Sequence, residues 1–311
     1  MNGHRPQQRF LGESMSKAPK VLDFRDLVVV VTGAGAGLGR RYALDFGAAG
    51  ARVVVNTRRA ETAKELVDRI EAAGGTATAA VADARNGAAI VDTAIAAYGR
   101  IDALVVNAGL VRDRTFSRMS EEEWSEVVEV HLGGAYTATA AAWRHMVRQG
   151  GGRIVLTTSG AGLHGNFGQA NYAAAKAAII GLAKALAIEG RRHGVLVNAI
   201  APMAHTDMTD SVFDDKLRAD LPSTLVSPFV LALAHPAGTT TGAVLETGGG
   251  WAAEVRWQRS AGVRFVPAEL TPAAVLERWP EIADFTEEAD CPSSTSDSLS
   301  AALGHPVGDR P

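Results

Sequence analysis

The chain has 311 residues, 47% hydrophobic and 21% charged, the balance of a globular protein rather than a disordered or fibrous one. That length suits one α/β domain of about 250 residues with appendages, whereas two full domains would be cramped. A formal charge of -3 offers no basic field for nucleic acid or an anionic membrane surface, and the single cysteine, Cys291, excludes an intrachain disulfide and a cysteine-based zinc site.

The first twenty residues, MNGHRPQQRFLGESMSKAPK, are polar and lack the apolar core of a secretory signal, so residues 1–20 are expected to be a disordered leader, with Met15 an alternative start. No run of about 18 apolar residues follows, and no membrane insertion is expected. From residue 21 short β-rich runs alternate with longer helical stretches. Strands are expected at Leu27–Val31, Arg52–Val55, Thr76–Val81, Ala103–Val106, Arg153–Thr157, Val195–Ile200 and Ala243–Glu246. Helices are expected at Leu38–Ala49, Ala60–Ala73, Ala88–Tyr98, Glu121–Arg148, Asn171–Gly190 and Thr224–His235. This alternation predicts an α/β fold over residues 21–262, a single Rossmann-type, doubly wound, seven-stranded parallel sheet. Residues 263–311 read as a C-terminal extension, with one helix near Pro272–Trp279 and then a Ser/Thr-rich stretch, CPSSTSDSLS, opening a loose tail. The chain closes on Asp309-Arg310-Pro311, which is not a peroxisomal tripeptide, and a cytoplasmic location is expected.

The run Thr32-Gly33-Ala34-Gly35-Ala36-Gly37-Leu38-Gly39 follows the first strand and opens the first helix. Glycines there permit a tight turn and let a pyrophosphate approach the backbone where the helix dipole favours an anion. Gly33, Gly35, Gly37, Leu38 and Gly39 are therefore the candidate dinucleotide cradle. The second strand ends in Asn56-Thr57-Arg58-Arg59, with no carboxylate for ribose hydroxyls, so Arg58 leans the reading toward NADP over NAD. The alternative reading is that Arg58 and Arg59 are solvated residues at a helix start. Asp83, with Ala84 beside it, could meet the adenine or be an ordinary turn residue. Asn107, Ala108 and Gly109 follow the fourth strand, at the sheet edge where ligands bind in such folds.

Tyr172 and Lys176 stand one helical turn apart, so the phenol and the ammonium can address one small volume. Bringing a tyrosine from about pH 10 to neutrality needs roughly 4 kcal/mol of preferential phenolate stabilisation, and a fixed cation is the simplest source. Ser159 ends the apolar run Ile154-Val155-Leu156 and could share the same substrate oxygen.

Together these motifs resemble the short-chain dehydrogenases/reductases over about residues 25–250. The resemblance implies Tyr172 as general acid/base, Ser159 as the group that polarises the substrate oxygen, and Lys176 as the residue that lowers the Tyr172 pKa and holds the nicotinamide ribose. Val130-His131-Leu132-Gly133-Gly134, the lead-in Gly165-Asn166-Phe167-Gly168-Gln169-Ala170-Asn171, Gly250-Trp251, Arg256-Trp257 and the segment from Leu270 through Phe285 are similar to the (3R)-hydroxyacyl-CoA dehydrogenase branch. His131 stands where most of the family carries an Asn that orders a water relay; a catalytic part and a buried structural part are both open to it. That branch usually has an acidic residue where Thr57-Arg58-Arg59 stands. The substrate implied is a small molecule, a (3R)-hydroxyacyl-CoA-like alcohol, with a steroid, polyketide or carrier-protein-bound ketone as alternatives. A non-catalytic dinucleotide-binding regulator is the rival outside enzymes. Residues Pro202–Asp220 are expected to be a mobile substrate lid rich in acidic residues (Asp207, Asp210, Asp214, Asp215). Excess apolar surface on the helices of residues 121–148 and 171–190 predicts a homodimer or homotetramer.

Overall fold

A computed structural model describes residues 22–206, 214–285, 289–292 and 294–306. The expected leader and the middle of the expected lid, including Asp207 and Asp210, lie outside the described residues. Strands β1 (Val28–Val31), β2 (Arg52–Thr57), β3 (Thr76–Val81), β4 (Ala103–Val106), β5 (Gly152–Thr157), β6 (Val195–Pro202) and β7 (Val244–Gly248) pair in parallel, in the order β3-β2-β1-β4-β5-β6-β7. The seven parallel strands stand as expected. An eighth, β8 (Trp251–Glu254), extends the sheet antiparallel to β7, with Gly248 opposite Trp251. Gly249 and Gly250 make this hairpin possible, since both adopt positive φ, the requirement of the tightest two-residue turns.

Helices cover both faces. Alternate residues of β1 divide between two cores, as period-two geometry requires. Val28 and Val30 meet α3 (Gly87–Tyr98), α5 (Gly134–Gln149) and α7 (Ala170–Gly190), while Val29 and Val31 meet α1 (Gly37–Ala48), α2 (Ala60–Ala72) and α9 (Ser227–Ala234). Small residues set the helix spacing: a Cβ on Gly87 would overlap the Ala138 backbone, so α3 and α5 approach through glycine and alanine.

The expected single helix over Glu121–Arg148 is two. α4 (Glu121–Val128) gives way to a π-helical turn, Glu129–Gly133, before α5 begins. Such a turn inserts an extra residue and re-aims its side chains, and here it buries His131. Asp215–Ala234, 20 residues with a mean hydropathy of 1.2 over an 18-residue window, is apolar and long enough to cross a bilayer. It is not one spanning rod, however: α8 (Asp215–Asp220), a 3₁₀ turn at Ser223–Leu225 and α9 divide it, and α9 packs in the core.

The extension holds α10 (Pro272–Glu277) and α11 (Trp279–Ile282) where one helix is expected, because Pro280 starts a new first turn. The expected loose tail contains a further helix, α12 (Thr295–Leu303). A capping box of Ser294 and Asp297 starts it, and Arg264 donates to the carbonyls of Ala301 and Ala302 at its end (2.9 and 3.0 Å). Arg259 adds an isolated bridge and an ion pair to Asp290 at 2.6 Å.

Candidate active site

Strand order reverses direction between β1 and β4, so the loops leaving their carboxyl ends diverge and open a crevice. Thr32 joins the two: its hydroxyl accepts from the backbone N–H groups of Asn107 (2.9 Å) and Ala108 (3.1 Å). Asn107 reaches back to the carbonyl of Thr32 at 3.3 Å. Gly33 sits at φ +64, where a Cβ would lie 2.6 Å from Ala108 Cα, and Gly37 at φ +51 faces Thr206. A Cβ on Gly39 would overlap the Gly33 carbonyl, and one on Gly35 would lie 2.9 Å from Thr57 Oγ1. Ala36, at the N-cap of α1, makes no side-chain cap, so the first turn around Leu38 presents backbone N–H groups suited to an anion. This turn has the shape and polarity that a pyrophosphate needs, and the residues present fit a dinucleotide.

The adenosine end is partly committed to the fold. Buried Asn56 accepts from Gly33 N (3.2 Å) and donates to the carbonyls of Ala80 (2.9 Å) and Ala82 (3.0 Å). Asp83, beside Ala84, forms a fork with Arg85 at 2.9 and 3.0 Å and accepts its backbone N–H, which holds the carboxyl down at about 2. Its oxygens are thus engaged as a turn residue's would be. Arg58 is exposed at the end of β2 and lies close enough to help depress Asp83.

The reacting groups gather at the ends of β5 and α7. Ser159 ends the segment after β5 and caps the short helix α6 (Gly160–His164), accepting from Ala161 N at 3.2 Å. Gly162 lets α6 press against α7, since a Cβ there would stand 2.7 Å from the Lys176 carbonyl carbon. Thr158 Oγ1 donates to the Lys176 carbonyl at 2.7 Å, a second tie between β5 and α7. Ser159 consequently lies close enough to the Tyr172 hydroxyl to act on its titration. Lys176 is 3% exposed and donates Nζ to the Thr157 carbonyl at 2.7 Å, with the ammonium 5.6 Å from the centre of the Tyr172 ring.

Burial dominates the electrostatics of both Tyr172 and Lys176. Burial raises the phenol above its ordinary value; the nearby Ser159 hydroxyl offsets part of this, and Asp113 adds to the rise. Burial also brings Lys176 down to about 7, so the ammonium is only partly charged at neutral pH. His131 is pushed to about 3 by burial and by Lys176, and is neutral across the physiological range. Its ring stands edge-on to Tyr172, with centroids 5.1 Å apart. Nε2 lies 2.7 Å from the Leu110 carbonyl and 3.1 Å from the Leu110 N–H, while buried Nδ1 has no partner among the described residues. Gly109 leaves room for this ring, because a Cβ there would collide with it.

Sequence reasoning missed two contributors. In the sequence Asn171 stands out only as part of a motif, although it is fully buried and bonded to three segments. Asp113 lies on the loop after β4, held by Gln169 Nε2 at 2.9 Å, and nothing in its local sequence signals its proximity to Tyr172.

A family profile described as short chain dehydrogenase matches residues 27–217. The chain is 43% identical over 291 residues to peroxisomal multifunctional enzyme A of Dictyostelium discoideum, covering 91% of this chain and 65% of that protein. It is 44% identical over 276 residues to peroxisomal multifunctional enzyme type 2 of Mus musculus, covering 85% of this chain and 38% of that protein. The solved full-length peroxisomal multifunctional enzyme type 2 of Drosophila melanogaster superposes with a TM-score of 0.80 at 37% identity, over 91% of this chain and 50% of that one. The chain therefore spans only part of these relatives. Their names overturn the expectation of a cytoplasmic location, which was the default in the absence of a recognisable targeting or membrane segment. With the profile match, the relatives and the geometry in agreement, the chain belongs to the short-chain dehydrogenase family, NAD(P)-dependent oxidoreductases that act on hydroxyl groups.

Proposed function

We propose that this chain oxidises a (3R)-hydroxyacyl-CoA-like secondary alcohol, or reduces the matching ketone, with a nicotinamide cofactor. The observation that carries the reading is the convergence of Ser159, Tyr172 and Lys176 beside a glycine turn shaped for a pyrophosphate. Gly33, Gly35, Gly37, Leu38 and Gly39 would hold the pyrophosphate, Asn107, Ala108 and Gly109 would wall the crevice, and Tyr172 and Lys176 would meet the nicotinamide ribose. NAD(P), when bound, takes up or gives the hydride.

Tyr172 carries its proton at neutral pH and donates it to a ketone oxygen; as the phenolate it takes the proton from an alcohol. Ser159 gives the same oxygen a second hydrogen bond and so orients it. His131, neutral and packed edge-on, supports the phenol ring rather than titrating during turnover. The acyl-CoA class draws support from the multifunctional relatives. Two of the four acidic lid residues are locally engaged, Asp214 capping α8 at 2.8 Å and Asp215 pairing with Arg218 at 3.4 Å. Arg58 favours NADP, because Asn56 and Asp83 are occupied by the fold and no carboxylate stands at the end of β2. Residues 21–262 form the catalytic domain in this reading and 263–311 an extension fastened through Arg259 and Arg264. Tyr136 on α5 and Ile188 on α7, 63% and 69% exposed, support a homodimer or homotetramer.

The experiment is turnover of a panel of 3-hydroxyacyl-CoAs and hydroxysteroids with NAD and NADP, for the parent and Tyr172→Phe. A 3-hydroxyacyl-CoA should be the preferred substrate, with the variant slower by about 10²–10⁴-fold and its cofactor affinity retained. Parent-like turnover in the variant would sink the mechanism, and preference for a hydroxysteroid would sink the substrate class.

A further inference from the structure

We infer that Asn171 is a positioning residue for the Tyr172 phenol, its side chain fixing where the first turn of α7 presents that ring. The inference rests on the proton-transfer reading of Tyr172. Asn171 is 0% exposed and spends its whole amide. Nδ2 donates to the carbonyls of Arg112 at 3.2 Å and Glu123 at 3.1 Å, and Oδ1 accepts from the Tyr172 N–H at 2.8 Å.

Those partners belong to three segments: the loop after β4, the first turn of α4, and the helix that carries the phenol. The N–H groups of a first helical turn have no intrahelical acceptor, and Gln169, at the N-cap of α7, makes no side-chain cap. Asn171 therefore satisfies the Tyr172 N–H from inside the helix. The same side chain anchors that N–H to a framework that is itself cross-braced. Arg112 pairs with Glu126 at 2.8 Å and Arg114 with Glu123 at 2.9 Å, binding the loop after β4 to α4. Glu123 also closes the capping box with Ser120. Arg114 N donates to the Gly168 carbonyl at 2.8 Å, fastening the loop to the entry of α7. Asparagine is a poor helix former because its side chain competes for backbone groups, and here that competition supplies the function. Rotation of this first turn would carry the Tyr172 hydroxyl away from Ser159, and a misplacement of ~1 Å can cost about 10²-fold in rate.

The test compares Asn171→Ala, Asn171→Ser and Tyr172→Phe in the full chain. It uses steady-state kinetics with a 3-hydroxyacyl-CoA, cofactor binding, thermal unfolding, and titration of the phenols by near-ultraviolet absorbance. Tyr172→Phe identifies the transition that belongs to Tyr172. Asn171→Ala should lower kcat by about 10²-fold with little change in alcohol KM or cofactor affinity. It should also shift the Tyr172 transition down toward ordinary tyrosine, as the ring leaves its buried site. Asn171→Ser keeps one side-chain oxygen, should fall between the two, and carries the test if the alanine variant does not fold. A lower melting temperature with kcat and the phenol titration unchanged would make Asn171 merely structural and overturn the inference. Parent-like turnover of Tyr172→Phe would instead remove the proton-transfer reading, and the phenol titration would then decide the placement of the ring by itself.

Discussion

Lys176→Met removes a charge and keeps most of an unbranched stem, so it isolates what burying the ammonium costs the fold. Burial lowers Lys176 from 10.5 to about 7. Between those values the unfolded chain holds a proton that the folded chain has released, so stability rises with pH across the window from about 7 to about 10.5. Below it the penalty is present in full. At ~1.4 kcal/mol per pH unit, it amounts to roughly 5 kcal/mol. Methionine leaves the Thr157 carbonyl without its 2.7 Å donor. Leaving a buried acceptor unpaired returns about 1–3 kcal/mol. The variant should therefore be more stable than its parent by roughly 2–4 kcal/mol at about pH 6. The difference should vanish or reverse by about pH 10, as the parent sheds its penalty. Urea unfolding of both proteins across that range measures it, and the variant should have lost turnover at every pH. A methionine variant that is less stable near pH 6, or a difference that is flat with pH, would refute the reasoning.

Because burial holds Tyr172 above its ordinary pKa, alcohol oxidation should accelerate steadily from about pH 7 to pH 10 while ketone reduction stays level. Initial rates in both directions decide this, and an oxidation rate that declines over the range counts against Tyr172 as the base. Gly33→Ala meets both positive φ and a contact of 2.6 Å with Ala108 Cα. Strain of about 1–2 kcal/mol and overpacking of about 1–3 kcal/mol should cost stability and weaken dinucleotide binding, so an unchanged melting temperature with parent-like affinity would contradict the cradle. Arg58→Ala should weaken NADP about 10–100-fold, the worth of one charge-assisted hydrogen bond, and leave NAD within about twofold. Equal losses for both cofactors would remove Arg58 from the 2′-phosphate.

Much of this protein was legible because its signals are local. Strand runs such as Val28–Val31 and Val53–Val55 have few other uses, since uninterrupted β-branched residues suit a sheet buried on both faces. The glycine turn after β1 and the Tyr172/Lys176 spacing were equally readable, because a turn needing positive φ and an i, i+4 pair are written in consecutive residues. The β8 hairpin was available in Gly248-Gly249-Gly250 and the α12 capping box in Ser294 through Asp297, but weak local propensity concealed both. The C-terminal carbonyls of α12 are satisfied by Arg264, 37 and 38 residues away.

The sequence by itself determined the alternating architecture, the dinucleotide turn and the identity of the proton-transfer candidates. Only the tertiary structure decided how those groups are charged and held. Asp83 belongs to Arg85, Lys176 sits buried against Thr157, and a π-turn delivers His131 to the edge of Tyr172. Asn171 draws three segments together around the phenol. The physical reason is that desolvation and hydrogen bonding depend on what surrounds a group in space, and those neighbours come from segments far apart in the chain.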